Sequence, residues 1–96
     1  MSRFSTEEVS AHIRRKHPGC PEFAVVFFAA EVAAKDWHGC KIDMAVGITM
    51  QTYLRHNHTD YDQLLLEGVG RLEARQRVQP RINRMIDSWR RKKKTR

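Results

Sequence analysis

No stretch of this chain approaches the ~20 consecutive apolar residues that a membrane-spanning helix requires, so the pattern excludes a bilayer span. Cysteine is scarce: Cys20 and Cys40 are the only two. A lone pair twenty residues apart supplies neither a zinc knuckle, which needs four closely spaced ligands, nor a disulfide framework. Residues 1–8 are polar and partly acidic, with no apolar leader. Two reduced thiols, with a Cys20–Cys40 disulfide as the alternative, and an intracellular location are therefore expected: cytoplasm or nucleoid, or the nucleus in a eukaryote. No segment alternates apolar and polar residues with period two, which argues against strands.

The last quarter of the chain lacks acid. Residues 1–70 balance at −2, with seven Lys/Arg against nine Asp/Glu. Residues 71–96 balance at +9, with eleven against two, and so carry all of the net +7. Positive charge segregated in this way points to a polyanionic partner, nucleic acid or an anionic membrane surface.

With 96 residues, 41% hydrophobic and 30% charged, the chain is one globular domain. A chain of this size buries about 64% of its unfolded surface, which leaves a thin core. Proline and glycine divide it into about five helical stretches. Ser5 and Glu8 form a capping box that starts a helix near Thr6, with Val9 and Ile13 inward, and Pro18-Gly19 stops it. After Pro21, residues 22–35 are apolar on most sides, which predicts a central buried helix. The run Val25-Val26-Phe27-Phe28 also suits a buried strand, but the apolar stretch exceeds ten residues and is rich in alanine, which favours helix. A third helix is expected from about Asp43 to Arg55. Thr59 with Asp62, an acidic variant of the capping box, starts a fourth through Tyr61, Leu64 and Leu65. Gly68 ends it and Gly70 leads into a fifth. The fifth carries the stripe Leu72, Val78, Ile82, Met85, Ile86 and Trp89, and Pro80 predicts a kink or restart within it. The fold class is all-α: a compact bundle over residues 1–89, with a basic C-terminal helix and a basic tail at 90–96.

Three groups of residues carry possible chemistry. The first is Arg71, Arg75, Arg77, Arg81 and Arg84 on the fifth helix, continued by Arg90, Arg91, Lys92, Lys93 and Lys94. Arginine suits bidentate phosphate contact, and a lysine cluster adds non-specific attraction. The plain alternative is a solvated helix face whose basic end favours the helix dipole, and a nuclear-import address is a further one. The second group is His56, His58, Asp60 and Asp62, a candidate metal-dependent hydrolase site whose plain alternative is a helix–helix turn. The third is the corner Gly68–Arg75. Helix-turn-helix DNA readers and ubiquitin-binding three-helix modules use comparable corners, and it is also a plain connection that a protein partner or second copy could engage. Trp37 and Trp89 are candidate base-stacking surfaces, with Trp89 better suited to the core. No nucleophile–base spacing is identifiable, so no catalytic residue is assigned, and no cofactor motif is present.

Arg55, His56, Thr59, Tyr61, Asp62, Leu64 and Leu65, then Gly68, Arg71, Ala74, Arg75 and Val78, then Ile82, Trp89 and Arg90, make a long, spaced motif over about residues 53–90. It resembles a bacterial and fungal family known as domain of unknown function 2293. Tyr53 stands where that family usually has a histidine, and its glycine–arginine-rich segment before the third helix is reduced to Gly39-Cys40-Lys41. The resemblance implies a fold identity and brings no activity, substrate or cofactor. It directs attention to Arg55, His56, Thr59, Tyr61 and Asp62 as a structural polar network. In that network Asp62 is expected to pair with Arg71 or Arg75, and Tyr61 to be half-buried. The function expected from the residues is nucleic-acid binding by phosphate contacts, with protein association as the alternative.

Overall fold

The Ser5 hydroxyl accepts from the Glu8 N–H and the Glu8 carboxylate accepts from the Ser5 N–H, both at 3.0 Å, so the capping box forms. It opens α1 (Thr6–Lys16) in a computed structural model that describes residues 3–91. Four more helices follow: α2 (Glu22–Ala33), α3 (Ile42–Asn57), α4 (Tyr61–Leu66) and α5 (Arg71–Arg90). No strand occurs among the described residues, and the fold is all-α. Cys20 and Cys40 are not joined in a disulfide. No helix among the described residues is long and apolar enough to cross a membrane.

One core joins the helices. Val9 and Ile13 enter it from α1, Val25, Phe28 and Val32 from α2, and Val46, Met50 and Leu54 from α3. From α5 come Ala74, Val78, Ile82 and Ile86. The molecule is a slab with extents of 43 × 41 × 18 Å. Packed helices lie about 8–10 Å apart between axes, so the slab holds about two layers of helices and none of them can be covered on both sides.

That thinness overturns the expectation of an enclosed α2. Phe23, Val26 and Phe27 are 77%, 59% and 41% exposed. The helix is apolar on two faces, and the slab has partners for only one. The same geometry removes Leu72 from the expected stripe: it is exposed at the first turn of α5, and the small Ala74 is buried instead.

Pro80 causes no restart, since α5 is continuous from Arg71 to Arg90. The missing proline N–H leaves the Gln76 carbonyl without its helical donor, but Gln76 and Pro80 lie on the exposed side. Val78 and Ile82 are buried on either side of the proline. Burying each stabilises by about 1.5–3 kcal/mol, enough to offset a proline cost of ~3 kcal/mol. The Thr59–Asp62 capping box is also absent. The Thr59 hydroxyl donates to the Arg55 carbonyl and accepts from the Tyr61 N–H at 3.2 Å. Asp62 is drawn away to His56.

The C-terminal end of α5 is fixed by Gly19. Its N–H donates to the Trp89 carbonyl at 2.7 Å. A Cβ at position 19 would lie 2.6 Å from the Arg91 carbonyl oxygen and 3.0 Å from that of Ser88. Gly47, inside α3, faces open space. Chemical denaturation should therefore show Gly19→Ala destabilised by about 1–3 kcal/mol through overpacking. Gly47→Ala should be neutral or stabilised by up to roughly 1 kcal/mol through helix propensity. Equal effects at the two positions would contradict this account of the α5 anchor.

Candidate functional site

At about 100° per residue, Arg77, Arg81 and Arg84 share one side of α5. Arg77 pairs with Glu73 one turn back, and Arg90 pairs with Asp87 at 3.4 Å. All four of those side chains are more than half exposed, and such surface pairs are worth roughly 0–1 kcal/mol, so a phosphate could displace the carboxylate. Arg81 is placed differently: its Nε donates to the His58 carbonyl at 2.8 Å, which ties α5 to the α3–α4 turn. Arg71, Arg75 and Arg84 are exposed and have no acidic partner among the described residues. Arg91 is exposed just beyond the helix, while Lys92, Lys93 and Lys94 lie outside the described residues.

The structure brings Arg75 to a cleft that sequence spacing did not reveal. Arg75 from α5 and Arg55 from α3 line a space of about 270 Å³ together with Ile48, Gln51 and Thr52. No carboxylate lines it. Arg55 Nε is buried without a hydrogen-bond partner. The Arg55 guanidinium stands 5.7 Å from the centre of the buried Tyr61 ring, which holds it in place. Arg55 and Arg75 are twenty residues apart on separate helices, and only the α3–α5 packing unites them.

The expected polar network assembles with different partners. The Asp62 carboxylate accepts from His56 Nδ1 at 2.8 Å and pairs with neither Arg71 nor Arg75. Tyr61 is 4% exposed, fully rather than half buried, and the His56 ring meets it edge-on. His58 turns the other way, against Tyr53 at 5.6 Å between ring centres. His56, His58, Asp60 and Asp62 therefore do not converge. Among the described residues no group of three or more His, Cys, Asp or Glu side chains is placed to hold a metal ion. The sequence placed the two histidines two apart, and the end of α3 at Asn57 splits them between opposite sides.

The tryptophans take different places. The Trp37 indole N–H donates to the Val32 carbonyl at 2.9 Å, closing the end of α2. Trp89 is partly buried against Phe28, at 5.9 Å between ring centres. It lines a groove of about 200 Å³ with Phe23, Phe27, Tyr53, His58 and Met85. The signal for this groove was present in α2, whose apolar residues exceed what a thin core encloses.

A family model described as "Uncharacterized conserved protein (DUF2293)" matches residues 12–90. That match reaches well upstream of the motif at residues 53–90 and takes in the C-terminal part of α1 from His12, with α2 and α3. No curated protein and no solved structure matches the chain.

His12 and His17 were not singled out by sequence. They are 5% and 8% exposed, each with a buried Nδ1 that has no partner. Burial lowers both from the ordinary value of 6.5, and neighbouring cations add to the effect: Arg15 and Lys16 at His12, against an opposing Asp43, and Arg90 at His17. The folded chain thus refuses protons that the unfolded chain accepts. Stability from these groups is complete above pH 6.5 and is lost as pH falls toward the lowered folded-state values. Thermal melts should show a lower Tm at about pH 5 than at about pH 7.5. Replacing both residues with glutamine should shrink that difference, and an undiminished difference would contradict the assignment.

Proposed function

We propose that this chain, which belongs to the DUF2293 family, is a nucleic-acid-binding module that grips phosphates with its arginines. The observation that carries the reading is the cleft in which Arg55 and Arg75 converge without a carboxylate. Two guanidinium groups that line one cleft repel one another, and an anion between them would relieve the repulsion while forming charge-assisted hydrogen bonds. Gln51 and Thr52 add neutral donors at the same place. Arg71 and Arg84, free of acidic partners among the described residues, extend the cationic surface along α5. The basic run 90–96 adds attraction without sequence readout.

A second reading, association with a protein partner or a second copy, draws on Leu66 and Leu72. They are 82% and 73% exposed on either side of the Gly68–Gly70 corner. Single exposed leucines are ordinary on a protein surface, so the first reading is preferred.

Affinity for labelled DNA and RNA fragments, titrated against salt, tests the proposal. The logarithm of affinity should fall linearly with the logarithm of salt, with a slope of about −0.9 per phosphate neutralised on duplex. Arg75→Ala should make the slope shallower by about 0.9 and weaken all sequences evenly. Removing residues 92–96 should do the same more strongly. Binding that is absent, or indifferent to salt, would sink the reading.

A further inference from the structure

The aromatic groove and the arginine cleft are ends of one track across α3. Phe23, Phe27, Tyr53, His58, Met85 and Trp89 line the groove. Phe27 and Tyr53 also line a middle cleft, where Ile48 and Thr52 are their neighbours on α3. Ile48 and Thr52 in turn line the cleft of Arg55 and Arg75. Shared walls thus join the three hollows in sequence. Only the middle one contains an acid, Glu31, and Lys35 lines it as well.

The groove combines ring faces with flanking cations. Phe27 and Tyr53 lie 4.9 Å apart between centres, and Tyr53 and His58 lie 5.6 Å apart. Phe23, one turn before Phe27, is 77% exposed. No acid lines this groove. Arg81 is fixed at its edge through the His58 carbonyl, and Arg84 precedes Met85 on the solvent side of α5. Rings bordered by guanidinium groups match a polyanion whose flat bases are unpaired. A duplex hides those base faces and could use only the arginines.

Resting on the nucleic-acid reading, we propose that this track binds single-stranded nucleic acid. Unpaired bases stack on Phe23, Phe27 and Trp89. The phosphates run between Arg81 and Arg84 at one end and Arg55 and Arg75 at the other. The exposed apolar stripe of α2 is on this view a stacking platform left uncovered for its ligand.

The test compares a labelled oligothymidylate with a duplex of equal length on the full chain, by fluorescence anisotropy and by Trp89 quenching, taken as the difference from a Trp89→Phe control that keeps Trp37. The single strand should bind more tightly and quench the tryptophan. Phe23→Ala, at an exposed position that cannot disturb the core, should weaken the single strand at least about fivefold, as the loss of one stacked base does. Duplex affinity and the salt slope should be unchanged by it, and Phe23→Trp should restore binding. Equal affinity for the two forms together with an inert Phe23→Ala would overturn the track and leave phosphate binding intact. Failure to bind either form would overturn both. Light scattering that shows a dimer dissolved by Phe23→Ala, with single-strand affinity unaltered, would assign the stripe to a second copy and overturn the inference.

Discussion

The seating of α5 on the other helices is the contact on which the rest depends. Ala74, Val78, Ile82 and Ile86 bury one side of it over more than three turns. Gly19 then locks its far end by bringing backbone against backbone, with a hydrogen bond to the Trp89 carbonyl. Removing a buried Ile82 side chain would cost about 2–5 kcal/mol, a large share of the stability of a domain this small. Because α5 is held along its whole length, its arginines project from a rigid rod. Arg75 shares a cleft with Arg55, and Arg81 reaches the turn after α3, only because that seating is fixed.

A slab this thin cannot enclose a helix that is apolar on two faces. The chain buries Phe28 completely and leaves Phe23 and Val26 in solvent. Exposed apolar area of this kind tends to associate with something. Its position next to the arginines of α5, along one continuous track, gives a physical basis for choosing what that is. On the proposed reading, the basic surface would supply attraction at a distance, and the rings would supply the short-range contact that distinguishes unpaired bases from paired ones.

Much of the fold was legible in the sequence. The Ser5–Glu8 cap, the stop at Pro18-Gly19, the glycines around residues 68–70 and the spacing of Val78, Ile82 and Ile86 marked the helices and most of the core. Errors arose where tertiary packing overrode a local rule. Pro80 stayed inside a helix because Val78 and Ile82 hold it there, and Asp62 left its capping role for His56. The candidate site was less legible. Arg75 was visible as charge, but the cleft it shares with Arg55 depends on the packing of two helices distant in sequence. The aromatic groove was hidden because periodicity reports that α2 is apolar without saying which face finds a partner. His12 and His17 carried no pattern at all, and their burial follows from the grooves that α1, α3 and α5 make between them.

The most direct measurement is an amide chemical-shift map of the chain titrated with oligothymidylate. The account predicts that perturbed resonances trace α5 from Arg71 to Arg84, the α3 positions around Thr52 and Arg55, and the exposed stripe of α2 at Phe23 and Phe27. Perturbations confined to α1 and the Leu66–Leu72 corner, or none at saturating ligand, would contradict it.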